Sequence, residues 1–261
     1  WSNSWYPLDS MRTLRQTKEF SMSHLSMMAF INKFGIAVLY QGMASGLISM
    51  GVSWYCYYYF QRTLQAFFMK RWSHPLSNIT QLCIGLVVGM ITCTVVNPFW
   101  VINTRLKVKK GAKRGNTFTI VKSLLRDRGI CAFYNGYLPS LLLVWNPAIQ
   151  FMVAEYMYSS LILSQTPESF RHLFVGGVSK FISTVITFPL QVIKTRMQVK
   201  HHWESLTSIS KEIWEEGGIY SFLKGLEEKL AQTVLTAATM FFLAHFLAKF
   251  RVFKQIPRFA H

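Results

Sequence analysis

Lys180 stands in a run from Leu173 to Ile193 that holds no other formal charge. An ammonium in so apolar a stretch is expensive unless it meets water or an anion, so it marks an interaction with something negative. On a helix turning about 100° per residue, Lys180 lies about 20° from Gln191 and about 40° from Lys194, so the three share a face. The alternative is a lysine that snorkels to an interface. Lys229 precedes a second apolar run, Leu230 to Ala248. Lys229, Gln232 and Thr236 fall within about 60° of one another on a helical wheel. An interfacial anchor behind Glu227 and Glu228 is the other reading of that lysine. In "VWNPAIQ", Asn146 and Gln150 are four residues apart; they offer a polar stripe to a solute or to a neighbouring helix. Ser53 and Tyr57 repeat that spacing in "SWYCYYYF", where the aromatic either stacks on a purine or belongs to an interfacial belt. All of this is binding chemistry. The sequence offers no Gly-rich phosphate loop, no nucleophile with a positioned base and no His/Cys ligand pattern. The expectation is no enzyme, no metal and no bound prosthetic group.

The elements that must position these residues are membrane spans. Of 261 residues, 51% are hydrophobic and 15% charged, against about 25% charged in soluble domains. Uncharged runs cover 34–61, 78–103 and 129–154. With the runs 173–193 and 230–248 they give five stretches long enough to cross a bilayer, which needs about 20 apolar residues. A sixth span should end in residues 1–6, so the first helix is expected to be truncated. The chain opens on Trp1 and shows no signal-peptide pattern; it reads as the inside of something longer. The net charge of +17 points to nucleic acid, anionic lipid or anionic small molecules. Five spans disfavour nucleic acid, and the basic run "KVKKGAKR" (107–114) fits a solvated loop or anionic lipid headgroups. Cys56, Cys83, Cys93 and Cys131 lack paired or metal-ligand spacing and are expected to be buried thiols.

The spans repeat. "YPLDSMRTLRQ", "NPFWVINTRLK" and "FPLQVIKTRMQ" place Pro7, Pro98 and Pro189 at separations of 91 and 91 residues. A second marker follows each: "LYQGM" with Gly42, "FYNGY" with Gly136 and "FLKGL" with Gly225, trailing their prolines by 35, 38 and 36 residues. Two markers in one order, three times, define an internal repeat. The units are 1–65, 66–162 and 163–261. Between the markers, "TIVKSLLRDRG" (119–129) and "LTSISKEIWEEGG" (206–218) carry apolar residues at three-and-four spacing and predict amphipathic helices on one membrane face. Proline inside a span removes a backbone donor and kinks the helix. Three kinked helices at symmetric positions can draw together and close one end of a central cavity.

This pattern resembles the mitochondrial carrier family, whose repeats carry Pro-x-acid-x-x-base on odd helices and aromatic-x-Gly before even ones. The resemblance implies an all-α membrane protein: three tandem two-helix repeats in a pseudo-threefold six-helix bundle around a water-filled cavity, exchanging solutes by alternating access. The first repeat matches with Pro7, Asp9 and Arg12. The second has Trp100 in place of the acid and Asn103 in place of the base. The third has Gln191 for the acid and keeps Lys194. With "YLPSLLLVWNPAIQFM" (137–152) and "KGLEEKLAQTVLTAATMFFL" (224–243), these departures resemble the family's peroxisomal branch. That implies a multi-pass peroxisomal membrane carrier, monomeric, for anionic adenine-bearing solutes such as CoA, FAD, NAD and AMP or ATP. A mitochondrial inner-membrane carrier for a related solute, or a degenerate carrier serving as a membrane interaction protein, are the alternatives.

In the family the acid of one repeat pairs with the base of the next. Carried over, Asp9 faces Asn103, Trp100 faces Lys194 and Gln191 faces Arg12. No full ion pair survives, so closure is expected to rest on Arg12 to Gln191, Asn103 to Asp9, and Lys194 against the Trp100 ring. The alternative is packed helix ends with snorkelling cations. Family substrate contacts fall seven residues after the even-helix glycine, at Ser49, Leu143 (with Val144) and Gln232. None is charged, which leaves a substrate phosphate to Lys180 and Lys229, with Asn146 beside them and Arg12 or Lys194 deeper.

Overall fold

A computed structural model describes residues 6–17, 31–32, 35–71, 78–108, 117–159, 168–200 and 204–249. Among the described residues the regular structure is helical throughout. The order is α1 (Tyr6–Gln16), a 3₁₀ turn (Ile36–Tyr40), α2 (Met43–Arg71), α3 (Asn78–Val108), α4 (Thr117–Arg128), a 3₁₀ stretch (Gly129–Tyr134), α5 (Tyr137–Leu143), α6 (Asn146–Ser159), α7 (Glu168–Val199), α8 (Leu206–Phe222) and α9 (Leu226–Lys249). At 1.5 Å per residue, α3 and α7 run about 46 to 48 Å, more than the roughly 30 Å of bilayer hydrocarbon. Ile79–Val108, Gly129–Ser159 and Phe174–Val199 are long and apolar enough to cross a membrane. α2 and α9 have 29 and 24 residues. The described part of α1 has 11. This is the frame of a multi-pass membrane protein.

The marker glycines explain how the repeats meet. Gly42, Gly136 and Gly225 have φ of 78°, 74° and 86°, a conformation that L side chains rarely adopt. Each stands directly before the even helix of its own repeat, which begins with α2, α5 and α9 respectively. Each also lies against the proline helix of the next repeat. A Cβ on Gly42 would meet Leu106 at 3.2 Å and the Asn103 carbonyl at 3.7 Å. One on Gly136 would meet the Lys194 carbonyl at 3.0 Å, and one on Gly225 the Arg12 side chain at 2.9 Å and its carbonyl at 3.4 Å. Arg12, Asn103 and Lys194 are each five residues beyond their prolines. The three contacts are therefore one contact made three times, which is the pseudo-threefold arrangement in atomic terms.

Three small cores tie each proline helix to the surface segment of its own repeat. Met11 and Leu14 pack with Leu39; Val101 and Leu106 with Ile120 and Leu124 of α4; Phe188 and Val192 with Ile209 and Ile213 of α8. The amphipathic stretches are helices, as their spacing predicts, and their i,i+4 apolar pairs are the buried residues. One expected span carries a break, and one expectation fails. The run 129–154 lies in a stretch long and apolar enough to cross a membrane, but it is divided into two helices. The Val144 and Trp145 amides turn back to Leu141 and Leu142 at 3.1 and 3.3 Å, and Pro147 brings no N–H to the Leu143 carbonyl, so α5 ends and α6 begins. The cysteines are not buried thiols: Cys83 and Cys131 are exposed and Cys56 and Cys93 half-buried, all four free. In a bundle of spans, an apolar run covers the lipid-facing surface as well as the core.

Candidate functional site

Between α1, α3, the α5–α6 break, α7 and α9 lies a cavity of about 340 Å³, at the small end of ligand pockets. Five cations line it, Arg12, Lys107, Lys180, Lys194 and Lys229, against one carboxylate, Asp9. Trp100, Asn103, Leu143, Asn146 and Gln191 complete the predicted part of the lining. Thus every expected gate residue and four of the seven expected substrate-binding residues reach one space.

α7 supplies the largest share of the polar wall because it places Lys180, Thr184, Gln191, Lys194, Thr195 and Gln198 there. The break at Val144–Trp145 puts Asn146 at the first turn of α6, opposite α7. Its amide donates to Thr187 Oγ1 at 2.6 Å and to the Ser183 carbonyl at 3.3 Å. Its oxygen then accepts from Lys180 Nζ at 3.4 Å. Asn146 therefore stands as a spacer beside Lys180, fixed by two acceptors on the same helix that carries the lysine. On α9, Lys229 Nζ donates to Gln232 Oε1 at 3.4 Å. Lys194 makes no hydrogen bond or ion pair among the described residues.

Asp9 is bonded by Arg12 Nη2 at 2.7 Å, within its own helix, and by Lys107 from α3. The expected partner, Asn103, turns elsewhere. Its amide donates to the Gly42 carbonyl at 3.4 Å, and it fills the notch left by Gly46, where a Cβ would come within 2.7 Å of its Nδ2. Trp100 likewise donates to Ser53 Oγ at 3.3 Å. So the pairings of Asp9 with Asn103 and of Trp100 with Lys194 give way to bonds with α2 and with Lys107, although the residues gather as expected. Arg12, expected on Gln191, bonds Asp9.

Three predicted contact positions sit behind the wall. Ser49 donates to the Ser45 and Phe99 carbonyls at 2.7 and 3.2 Å, which joins α2 to α3. Val144 fits over Gly89, whose added Cβ would meet it at 2.6 Å. Gln232 is buried beneath Lys229. Residues that the sequence reading missed include Lys107 and the threonines Thr13, Thr104 and Thr195. The threonines had a signal, since each stands six residues after its proline.

Comparison with known proteins agrees with this geometry. The family model described as mitochondrial carrier protein matches residues 74–164 and 165–255. The chain belongs to the mitochondrial carrier family. Similar carriers include the mouse peroxisomal membrane protein PMP34, 33% identical over 261 residues, covering 90% of this chain and 84% of the mouse protein. The peroxisomal nicotinamide adenine dinucleotide carrier of Arabidopsis thaliana is 27% identical over 94% of this chain and 90% of its own length. The peroxisomal membrane protein PMP47B of Candida boidinii is 27% identical, over 87% of this chain and 71% of its own.

At the end of α7, outside the spans of this carrier, Lys200 bonds Glu204 at 2.6 Å and also Glu212. Burial works against its charge, but the two carboxylates win and hold its ammonium above the ordinary lysine range.

Proposed function

We propose that this carrier exchanges anionic adenine-bearing solutes (CoA, FAD, NAD and AMP or ATP) across the peroxisomal membrane by alternating access. The observation that carries the reading is the charge of the cavity. Five cations face one carboxylate, and that carboxylate is already bonded by Arg12 and Lys107. Among the described residues, Lys180, Lys194 and Lys229 then make no ion pair with a carboxylate, and a phosphate-bearing solute supplies the counter-charge. Lys180, aimed by Asn146, and Lys229, held by Gln232, bind the phosphates; Leu143 offers apolar surface beside them. Ser49 and Val144 set the spacing of the wall from behind. Asp9, Arg12, Trp100, Asn103, Gln191 and Lys194 form the gate at the deeper end, flanked by Pro7, Pro98 and Pro189. The peroxisomal location draws on the mouse, plant and yeast relatives, each called peroxisomal.

The test is reconstitution in liposomes loaded with AMP, with radiolabelled CoA, FAD, NAD, AMP and ATP outside. Uptake that depends on internal nucleotide is expected for several of them. Uptake no greater than in protein-free liposomes, or equal uptake of a neutral nucleoside, would overturn the reading.

A further inference from the structure

The three proline helices can be compared position by position, because Pro7, Pro98 and Pro189 start the same count. Seven residues on stand Leu14, Arg105 and Arg196. Arg105 of α3 donates through Nε to the Gln198 carbonyl at 3.1 Å and through Nη2 to the Lys200 carbonyl at 2.9 Å. Arg196 of α7 donates through Nε to the Gln16 carbonyl at 2.9 Å. Each arginine thus covers carbonyls at the C-terminal end of the next proline helix, groups a helix leaves without internal donors. The third step of the cycle, from α1 onto the end of α3, falls to Leu14, which has no donor to give.

Nine residues beyond the prolines the exception recurs on the other side of the same interface. Gln16 and Gln198 occupy that position in α1 and α7, and Lys107 occupies it in α3. Gln198 accepts a hydrogen bond from Thr104 at 2.8 Å across the α3–α7 interface. Lys107 is only 5% exposed. Its ammonium reaches across to the Asp9 carboxylate and lies 4.7 Å over the Tyr6 ring. Among the described residues, the interface without an arginine cap is therefore the one crossed by an ion pair, with Lys107 buried and Asp9 partly so. Asn103 does not supply this charge, because its side chain is neutral and is committed to the Gly42–Gly46 notch. One turn further along the same helix, Lys107 does.

We propose that Lys107, and not the residue at the usual motif position, is the cation that latches the gate between α1 and α3. The proposal rests on the gate reading given above. Removing Lys107 leaves Asp9 with Arg12 of its own helix and no charge across the interface, and removing Asp9 leaves the buried Lys107 uncompensated, so the state that holds the pair is the one that suffers. Lys107→Gln is the informative variant, because α1 and α7 already carry glutamine at this register and the helix accommodates it. In liposomes, Lys107→Gln and Asp9→Asn should each lower exchange by about tenfold and lower the thermal midpoint. Lys107→Arg, which keeps the charge, should stay within about threefold. The swap Asp9→Lys with Lys107→Asp should recover most of the rate lost in the single variants. Lys107→Gln with unchanged exchange and midpoint, while Asp9→Asn fails, would overturn the latch and leave the gate reading standing. Both single variants behaving as the unmodified chain would overturn the gate reading and the latch with it. A swap no faster than the singles would overturn the pairing.

Discussion

α7 and α2 have nearly the same length, 32 and 29 residues, and opposite occupations. α7 buries polar groups: Ser179, Ser183, Thr184, Thr187, Arg196 and Gln198 are all buried. They bind Asn146, brace α1 and α8, and turn Lys180 into the cavity. α2 buries only Gly46 and Ser49 and shows Trp54, Tyr55, Tyr58, Tyr59 and Phe67 on its outer surface. α7 acts through what its side chains reach. α2 acts through what it lacks, since Gly42 and Gly46 let α3 come close. The lesson is that a hydrophobic run names the solvent, while the small and polar residues within it name the neighbours.

The comparison breaks most sharply at Lys180. Lys180→Ala should lower nucleotide uptake by about 100-fold, in keeping with loss of a charge-assisted bond of roughly 3 kcal/mol, while membrane insertion is retained. Lys180→Arg should keep part of the rate, because charge survives and geometry does not. Uptake of CoA, FAD and AMP at the unmodified rate in the alanine variant would remove α7 from the site. Next comes Asn146→Leu, expected to cost about tenfold in uptake, since it strips Lys180 of its partner and leaves the Thr187 hydroxyl without that bond. A variant that binds solute as tightly as before would show that Lys180 needs no aiming.

On the α2 side the expected damage is to stability. Gly46→Val would push a side chain into Asn103 and Tyr6, where even a Cβ lies 2.7 Å from the amide. Overpacking of this kind costs about 1 to 3 kcal/mol, visible as a lower thermal midpoint. By contrast, Tyr55→Leu with Tyr59→Leu should change stability by less than about 0.5 kcal/mol, as exposed positions do. A large effect there would mean that this face is covered by protein rather than lipid.

How much of this could be read from residues alone depends on what each feature requires. The repeat was legible because Pro and Gly are bound to backbone geometry, so their spacing survives while side chains change. The surface helices α4 and α8 were legible for the same reason, as periodicity encodes one buried face. The convergence of Lys180, Gln191 and Lys194 followed from the angle between them. The partners did not follow. A helical wheel says which way a residue points and is silent on what stands opposite. Asn103 points toward α2 because Gly46 leaves room, a fact held by another repeat. Lys107 belonged to a basic run, 107–114, that reads as a solvated loop or a lipid contact, and its burial is set by the fold and not by the run. The break at Val144–Trp145 was signalled by Pro147 but lay inside an apolar run that reads as one span.

The smallest expected effect concerns pH. Because Glu204 and Glu212 raise the affinity of Lys200 for its proton in the fold, the stability they contribute is fully present below the ordinary lysine range. It is lost as pH rises through the raised value. Between pH 6 and 9 the thermal midpoint should therefore carry no slope from this group. Lys200→Met should lower the midpoint slightly and evenly across that window. A Lys200-dependent slope inside it would contradict the geometry.

The three glycine contacts have a mechanical consequence. Gly42 joins the first repeat to the second, Gly136 the second to the third, and Gly225 the third back to the first. Three rigid bars pinned pairwise into a triangle have no free motion in their plane, unlike a four-bar linkage. A ring of three repeats cannot breathe by small adjustments shared among its joints. To widen one end, a joint must slide or the repeats must tilt together out of plane, so the ring turns over as a unit or stays shut.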